Sequence, residues 1–460
     1  MSILRVVIVA AGAGMTACGG ATDTTTPPVT KPGTYSVSGK IVGAVQSSVL
    51  LRAHGETEPA AFSDPTGNYK LEGVDNGTYT LVPYPIGFAY TFSPESRTIV
   101  VAGASLVDQN FSATAPATCA APFAIGPLVP GIGTTYYIVA TDFNGDGKLD
   151  IATTAEGHDS LSVYLGNGDG TFRTRADFAT GRDARGITAG DFNGDGKVDL
   201  AVAISTFSSA VAADVLLGRG DGTFGAATTY SIGPGGINAI ASADLNGDGR
   251  IDLVVAKLTA LSVLTGRGDG TFNASVDYRT GTFGRGVAIA DLNADGKLDL
   301  VGTDNDVSST VAVLLGNGDA TFATAVAYPV ARNSISVVAL DVNGDGKADL
   351  VTSAGSVLLG NGNGTFQTKT DFDPSEVGWQ IAVGDFNNDA KVDLVVASGR
   401  VGLLFGKGNG TFQRVVLFDT FQTNSLVVGD FNRDGKPDVA IAAGTPLGPS
   451  GFRLLRNTCF

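Results

Sequence analysis

Carboxylate and amide side chains recur in this sequence in one nine-residue pattern, Asp-x-Asn-x-Asp-(Gly)-x-x-Asp, which appears seven times. Oxygen atoms at positions 1, 3, 5 and 9, with the backbone carbonyl of position 7, can surround a hard cation that takes about six to eight oxygen ligands, as Ca²⁺ does. The pattern therefore predicts up to seven calcium sites. Their ligands would be Asp142, Asn144, Asp146, Lys148, Asp150; Asp191, Asn193, Asp195, Lys197, Asp199; Asp244, Asn246, Asp248, Arg250, Asp252; Asp291, Asn293, Asp295, Lys297, Asp299; Asp341, Asn343, Asp345, Lys347, Asp349; Asp385, Asn387, Asp389, Lys391, Asp393; and Asp430, Asn432, Asp434, Lys436, Asp438.

Position 6 of the pattern sets the turn around the ion. Glycine stands there in six of the seven copies, and glycine adopts a positive φ at no steric cost. The sixth copy has Ala390 instead. Because a left-handed conformation costs a residue with a Cβ roughly 1 to 2 kcal/mol, we expect the sixth site to be the weakest.

Two other calcium-binding architectures use similar residues. An EF-hand or dockerin loop needs a glutamate at position 12 and flanking helices, whereas position 12 is Thr153 in the first copy and Val202 in the second. The apolar runs that follow, such as residues 253–256, are typical of buried strands. An RTX β-roll has a period of about nine residues, which does not match the wider spacing of these copies.

The spacing of the copies indicates the elements that position them. The copies begin 44 to 53 residues apart, with a mean of about 48, which is the period of blades or solenoid units. Each copy follows a run of small residues. It precedes an apolar strand, a third strand, a turn of the form Gly-x-Gly-Asp/Asn-Gly-Thr-Phe and a fourth strand. Four antiparallel strands in each of seven repeats predict an all-β fold, a seven-bladed β-propeller over residues 119–460.

Two recurring runs, Asp-Phe-Asn-Gly-Asp-Gly-Lys-x-Asp-Leu and Leu-Gly-Asn-Gly-Asp-Gly-Thr-Phe, resemble VCBS/FG-GAP repeats. This family includes the propeller of integrin α subunits, and the resemblance covers about residues 120–460. It implies that the loops joining the first two strands of a blade hold calcium. In this sequence those loops are the seven copies of the nine-residue pattern.

The last repeat has only three predicted strands, and its last residues are 454–460. Residues 121–128, before the first copy, align with the fourth strands of other repeats, and we expect this segment to close the ring by completing the seventh blade. Cys119 precedes it and Cys459 lies at the end of the strand that it should pair with. We therefore predict a disulfide between these two cysteines; the alternative is two unpaired buried thiols.

The third cysteine lies near the N-terminus. Arg5, an apolar stretch from Val6 and the run Met15-Thr16-Ala17-Cys18-Gly19-Gly20 resemble a bacterial lipoprotein signal of residues 1–17 with Cys18 as the lipidated residue. The apolar stretch is too short to span a bilayer. The resemblance implies export and a lipid anchor in the cell envelope, at the outer membrane or cell surface, facing the periplasm or the outside. The alternative is cleavage without lipidation.

Residues 18–33 are rich in Thr, Pro, Gly and Ala, which predicts a flexible tether. Residues 34–114 then alternate apolar and polar positions in short strands. Two runs, 64–71 and 77–81, resemble the carboxypeptidase-regulatory-like, transthyretin-like β-sandwich. Such a domain would space the propeller from the membrane. Asp64 is either a ligand or a turn residue before Pro65, and the turn is the favoured interpretation.

Charge and composition restrict the partners. The net charge is −15, but the seven copies hold 21 of the 45 acidic residues, and seven Ca²⁺ ions would cancel most of that charge. The acidity therefore indicates metal sites rather than a surface for basic partners. No basic stripe is present, so nucleic acid is not an expected partner. We expect a monomer.

Candidate catalytic groups are sparse. The chain has two histidines, His54 and His158, both more typical of loops than of a general base, and it lacks the common hydrolase, zinc-protease and phosphate-loop motifs. Glu156 and Glu376 lie outside the nine-residue pattern, and nothing in the sequence places them together. Trp379 could stack on a sugar or simply pack.

Two Arg-Gly-Asp tripeptides, Arg219–Asp221 and Arg267–Asp269, stand where other repeats have Asn-Gly-Asp or Asn-Gly-Asn. We interpret them as turns rather than as adhesion motifs. The function that these observations favour is a binding platform for protein or polysaccharide, not an enzyme. The alternatives are a polysaccharide- or lipid-active hydrolase or lyase with structural calcium, and a purely structural or assembly component of the envelope.

Overall fold

The computed structural model describes residues 7–9, 35–44, 49–55, 58–85, 90–114, 122–155, 157–181, 183–205, 210–281, 284–304, 309–372, 378–413, 416–418, 423–443 and 450–459. Over these ranges the chain forms strands, bends and turns, and no helix. The predicted all-β class is confirmed. Accordingly, no described segment is an apolar helix of membrane-spanning length.

The chain divides into two compact units. One consists of Met1–Ala13, Phe123–Arg414 and Thr420–Asn457, and the other of Gly14–Pro122, Val415–Asp419 and Thr458–Phe460. The first described element is strand β1, Val7–Val9. Eight strands follow within residues 35–114: β2 Tyr35–Gly43, β3 Val49–His54, β4 Ala60–Phe62, β5 Asn68–Val74, β6 Gly77–Pro85, β7 Thr91–Ser93, β8 Arg97–Val101 and β9 Phe111–Thr114.

These eight strands form two four-stranded sheets, in the orders β5-β2-β9-β7 and β4-β3-β6-β8. Alternate residues of a strand are buried, as Tyr69 and Leu71 are in β5, because successive side chains of a strand point to opposite faces. Val37 and Phe111 from one sheet and Leu51 from the other belong to a single apolar cluster. The two sheets therefore share one core.

Strand β10, Phe123–Pro130, begins the repeats. The first three sheets contain β11 Thr135–Thr141, β12 Asp150–Ala155, β13 Ser160–Tyr164 and β14 Ala176–Ala179; β15 Ala184–Gly190, β16 Asp199–Ser205, β17 Ala210–Leu216 and β18 Thr228–Pro234; and β19 Ile237–Ala243, β20 Asp252–Lys257, β21 Ala260–Leu264 and β22 Val276–Arg279.

The fourth to sixth sheets contain β23 Gly284–Ala290, β24 Asp299–Asp304, β25 Thr310–Leu314 and β26 Val326–Pro329; β27 Val337–Leu340, β28 Asp349–Thr352, β29 Ser356–Leu358 and β30 Thr370–Asp371; and β31 Gln380–Gly384, β32 Asp393–Ser398, β33 Arg400–Leu404 and β34 Val416–Phe418. Strand β1 adds a further strand to the fourth sheet, because Val7–Val9 pair antiparallel with Val287–Ile289 of β23.

The seventh sheet joins distant parts of the chain. Strands β35 Thr423–Gly429, β36 Asp438–Ala443 and β37 Gly451–Asn457 provide three of its strands, and β10 is the fourth. Strand β10 pairs antiparallel with β37, so that Phe123 lies opposite Asn457 and Pro130 opposite Gly451. The segment that the sequence analysis assigns to ring closure thus pairs with the last strand, with its bounds two residues later than expected.

The first strands of the sheets lie side by side. In the order β11, β15, β19, β23, β27, β31, β35, each contacts the next, and β35 contacts β11. Small residues allow this approach: a Cβ on Gly186 in β15 would lie 2.9 Å from the Cα of Ala239 in β19, closer than two such atoms can pack. Four-stranded sheets repeated around a cycle of first strands define a repeat β-propeller.

Candidate metal centre

Each nine-residue loop connects the first and second strands of one sheet. The first loop, for example, leaves β11 after Thr141 and enters β12 at Asp150. All seven sets of predicted ligands therefore occupy equivalent positions. We refer to these segments as the metal loops and number the residues of each from 1 to 9.

The aspartate at position 1 is the centre around which each loop folds. The backbone N–H groups of Gly145 and Gly147 donate to the two oxygens of Asp142, both at 2.7 Å. The bond from position 6 to position 1 recurs in every loop; in the sixth, the N–H of Ala390 donates to Asp385 at 2.8 Å. The turn thus surrounds the position 1 carboxylate with backbone N–H donors.

Positions 3 and 5 continue this arrangement. In the first loop the N–H of Asp146 donates to the Asn144 side-chain oxygen at 2.9 Å, and the N–H of Lys148 donates to Asp146 at 3.1 Å. The Lys148 ammonium lies 3.2 Å from the second oxygen of Asp146. The equivalent backbone bond, from Lys197, lowers the pKa of Asp195. Position 5 is therefore a stabilised carboxylate at the surface.

The aspartate at position 9 is different, because it is completely buried in every loop. In the first loop its two oxygens accept hydrogen bonds from the N–H groups of Phe143, at 2.9 Å, and Gly166, at 2.7 Å. Gly166 begins the turn between the third and fourth strands, so this carboxylate ties two turns of one sheet together. In the seventh sheet, Asn457 donates in place of the glycine, at 2.8 Å.

Burial raises the pKa of the position 9 carboxyl in all seven loops, and the carboxylates at positions 1 and 5 raise it further by repulsion; the amide hydrogen bonds oppose both effects. The pKa rises to about 6 at Asp252, Asp299 and Asp438 and to about 7 at Asp393. Three carboxylates in each loop thus lie close enough to repel one another.

Left-handed backbone occurs at two positions of the loop. At position 6, Gly147 has a φ of 77° and Ala390 adopts 61°. At position 4, which the sequence analysis does not single out, Ala294, Asn388 and Arg433 have φ values of 59°, 57° and 60°. Glycine at this position in the other four loops is the signal that could have identified it.

The donor set of a metal loop fits Ca²⁺, which prefers carboxylate, amide and carbonyl oxygens. Across the described ranges, however, no group of three or more His, Cys, Asp and Glu side chains is arranged to hold a metal ion. The side-chain oxygens at positions 1, 3, 5 and 9 are engaged by N–H groups instead. In the first loop Oδ1 of Asp142 accepts three N–H groups, whereas Oδ2 of Asp142 and both oxygens of Asp150 accept one each. An oxygen that accepts one hydrogen bond retains a further lone pair for a cation.

Candidate residues outside the metal loops take part in turns or packing. Asp64 accepts hydrogen bonds from the N–H groups of Thr66, at 2.8 Å, and Asn68, at 2.9 Å, as a turn residue does. Asp221 and Asp269, in the Arg-Gly-Asp tripeptides, each accept the N–H of the threonine two residues later at 2.9 Å. These contacts correspond to the turn interpretation in each case.

Two of the remaining candidates lie within the described ranges in packed surroundings. The Nε2 atom of His54 lies 3.1 Å from the Tyr84 hydroxyl, and Trp379 packs against a large apolar cluster. Cys459 is buried. Four predicted residues lie outside the described ranges: Cys18, Cys119, Glu156 and Glu376.

The fold and the loops together define a β-propeller built from metal-loop repeats. A family model described as an FG-GAP-like repeat matches residues 142–202, 203–255, 244–302, 291–352, 353–396 and 391–441, which include all seven loops. The chain belongs to this family. No curated protein matches it in sequence.

Three solved structures illustrate how distant its structural relatives are. A lectin from Agrocybe aegerita that recognises non-reducing terminal N-acetylglucosamine has a TM-score of 0.46 at 18% identity, over 84% of this chain and 94% of that one. The BP39L lectin of Burkholderia pseudomallei has a TM-score of 0.49 at 12% sequence identity, over 71% of this chain and 99% of the lectin. A periplasmic gluconolactonase of Pseudomonas aeruginosa has a TM-score of 0.44 at 12% sequence identity, over 89% of this chain and 99% of the gluconolactonase. Likenesses of this size carry no inference about function.

Proposed function

We propose that this protein is a calcium-binding, seven-bladed β-propeller that serves as a binding platform for protein or polysaccharide. The observation that carries the proposal is the sevenfold metal loop, in which three carboxylates repel one another around a set of oxygen donors. In this proposal the seven four-stranded sheets are the blades, and the two sheets of residues 35–114 form a β-sandwich that precedes them.

Calcium has a structural role in this proposal. A cation in each loop would neutralise carboxylates that otherwise destabilise the folded chain, so calcium binding is coupled to folding. Position 6 supports a ranking of the sites, because the alanine at residue 390 adopts a φ of 61° that glycine adopts without strain. The sixth site should therefore release calcium first.

Titration calorimetry and thermal unfolding test the calcium proposal. We expect the purified chain, stripped with chelator, to take up several calcium ions and to melt at a clearly higher temperature when they are bound. Magnesium is the control, because it demands a stricter octahedral geometry and should stabilise less. An unchanged melting temperature together with no measurable uptake would contradict the proposal.

We also infer export and anchoring through a lipidated Cys18, and a disulfide between Cys119 and Cys459. The motif around Cys18 supports the anchor. The pairing of β10 with β37 supports the disulfide, because Cys119 and Cys459 lie just beyond these two strands in sequence. Mass spectrometry tests both: an unmodified mature N-terminus rejects the anchor, and free thiols in peptides mapped without reduction reject the disulfide.

The binding-platform proposal follows from how the residues are used. The residues repeated in every sheet hold the scaffold together, and the described histidines form no general-base arrangement. A glycan array, probed with and without calcium, tests the proposal: calcium-dependent binding of a restricted set of glycans is expected. Depolymerisation of a polysaccharide would favour an enzyme instead, and the absence of any glycan or protein ligand would favour a purely structural role.

A further inference from the structure

Five of the seven first strands contain a β-bulge at or near their second residue. The register shifts between Thr135 and Tyr137 in β11, and it shifts in the same way near the start of β15, β19, β23 and β35. A bulge turns a side chain away from its regular direction, and bulges are enriched beside functional sites. The side chains at these positions, here called the bulge residues, are Tyr136, Arg185, Asn238, Arg285 and Asn424.

The bulge residues differ between repeats, whereas the metal loops are nearly identical. Structural demands shared by all sheets therefore do not dictate their identities. They are aromatic, amide or guanidinium side chains at the start of strands whose later residues are mostly small and apolar. This combination of equivalent position and varied polar chemistry is what a ligand site built from several repeats requires.

Two of the bulge residues, Arg185 and Arg285, are arginines at equivalent positions. Arg285 contacts a third bulge residue, Asn238. The Asn238 side chain donates to the carbonyl of Gly284 at 2.9 Å, and an Nη atom of Arg285 donates to the Asn238 oxygen at 3.3 Å. The Nε atom of Arg285 is buried and has no hydrogen-bond partner. The guanidinium is therefore fixed in place with an unused N–H donor.

The charges of the two arginines are uncompensated. Burial lowers the pKa of Arg285; the neighbouring Tyr137 opposes this and the positive charge of Arg185 adds to it. Arg185 lies over the Tyr136 ring, 5.9 Å from its centroid. Within the part of the chain that the structure describes, neither arginine forms an ion pair, whereas Arg173, Arg175 and other basic residues do. Two unpaired guanidinium groups in a protein of net charge −15 call for an anion.

A cavity of about 480 Å³ lies among the first strands β11, β15, β31 and β35. Its lining includes Tyr137, which follows the bulge residue Tyr136, and Gln380, which follows Trp379. This volume falls in the range of pockets that take a small ligand, about 300 to 1,000 Å³. The rest of the lining is mainly aliphatic, with Thr141 and Thr188 as further polar residues. The bulge residues do not line this cavity, but Tyr137, which does, interacts electrostatically with Arg285.

We propose that the bulge residues bind the carboxylate of an acidic sugar residue, with Arg185 and Arg285 as the anion-binding groups and the cavity lined by Tyr137 as the space for the sugar ring. The planar fork of a guanidinium matches a carboxylate, and the partly exposed Trp379 offers an aromatic surface to a sugar ring. A single uronic acid brings one negative charge to an acidic protein, whereas an acidic peptide brings several. This inference rests on the proposed binding-platform function and specifies its ligand.

Fluorescence of Trp379 provides the test. It is the chain's only tryptophan, and it directly precedes a residue that lines the cavity. The whole chain is titrated with glucuronate and, in parallel, with glucose, which lacks the carboxylate. Glucuronate should change the emission saturably and glucose should not. Arg185→Gln and Arg285→Gln should each weaken glucuronate binding by about tenfold or more, since each removes a charged donor.

Arg279→Gln is the matched control, because Arg279 is exposed on the fourth strand of the third sheet; it should leave glucuronate binding unchanged. Thermal unfolding of each variant shows whether it folds. Arg285→Lys is the second variant at that position, and it should bind with intermediate strength because it keeps the charge and loses the fork.

Several results would overturn the inference. Equal responses to glucose and glucuronate, or an equal loss in Arg279→Gln, would show that the arginine pair does not recognise the ligand. Tighter binding of inorganic phosphate would assign the site to phosphate-bearing ligands, and tighter binding of a pentaglutamate peptide would assign it to a protein partner. If glucuronate fails while the glycan array still finds calcium-dependent ligands, this site is wrong and the proposed function remains.

Discussion

The aspartate at position 9 combines two roles at the scale of a single residue. It is a predicted calcium ligand, and it is also a buried acceptor for two backbone N–H groups. In the fourth sheet, Asp299 accepts from Leu292 at 2.8 Å and from Gly316 at 2.7 Å. A buried N–H group that lacks an acceptor lowers the stability of the folded state. The Asp299 side chain therefore stabilises the sheet even without a metal ion.

Replacing Asp299 with asparagine separates these two roles. The asparagine amide presents an N–H group to one of the two backbone donors, so Asp299→Asn should lower the free energy of unfolding by roughly 1 to 3 kcal/mol in chelator. Urea unfolding measures it. The control is Asp295→Asn, at exposed position 5 of the same loop, which should leave stability in chelator close to that of the wild type while weakening calcium binding. Equal destabilisation by the two variants would contradict the structural role of Asp299.

The sequence predicts the residue types of the metal loops but not all of their contacts. Spacing alone predicts the oxygen donors from Asp142 to Asp438, and it predicts the turn at position 6, where the backbone is left-handed. It does not reveal that Gly316 donates to Asp299 from 17 residues away, because that bond depends on how the turns pack. The sequence does not predict the bulge residues either. A bulge is a mismatch between two paired strands, so the sequence of one strand alone does not indicate it.

At the scale of secondary-structure elements, β10 is the strand that joins the start of the repeats to their last sheet. Its Phe123 side chain is only 5% exposed and meets the Phe386 ring edge to face, with 5.5 Å between centroids. Two residues later, Ile125 is 43% exposed, although it pairs with Leu455 in the same ladder. The strand therefore offers a buried and an exposed apolar side chain in one pairing.

Phe123→Ala should lower the free energy of unfolding of the repeats by roughly 3 to 5 kcal/mol, because it removes a buried aromatic side chain from a packed site. Ile125→Ala is the matched control and should cost no more than about 0.5 kcal/mol. Denaturant unfolding of the calcium-loaded protein measures both. If the two variants were equally stable, β10 would not be a packed part of the seventh sheet.

Element positions follow from sequence more closely than element boundaries do. The repeat period and the runs of small and apolar residues predict four strands per repeat, and the structure has them. The strand expected at residues 121–128 is Phe123–Pro130 within the described residues. Its pairing with β37 continues past an irregularity between Ile125 and Leu128, which sequence alone does not indicate. The pairing of Val7–Val9 with β23 was not predicted, since residues 1–17 are assigned to a signal.

Seven raised carboxyl pKa values make the stability of the whole molecule depend on pH. A group whose pKa is higher in the folded than in the unfolded chain stabilises the fold below its unfolded value, and this contribution is lost as pH rises through the folded value. The relevant folded values are about 6 at Asp252, Asp299 and Asp438 and about 7 at Asp393. Carboxyls with lowered pKa values, such as Asp195 and Asp345, titrate below this range.

The calcium-free protein should therefore be more stable at about pH 5 than at about pH 7.5. Calcium should reverse the trend, because it binds the ionised carboxylates and competes with protons. Urea unfolding at both pH values, with chelator and with calcium, checks the sign in each case. Greater stability at the higher pH in chelator would show that the position 9 carboxyls are not protonated in the folded chain.

The seventh sheet takes its strands from both ends of the repeats, which affects how the chain matures during synthesis. Strand β10 emerges from the ribosome before the other repeat strands, and it waits for residues 451–457 to become available as its partner. Until then it is an exposed edge, a state in which strands are prone to pair with other chains. A product that terminates before residue 451 would keep this edge open, so formation of the last ladder distinguishes chains that contain residues 451–457 from shorter ones.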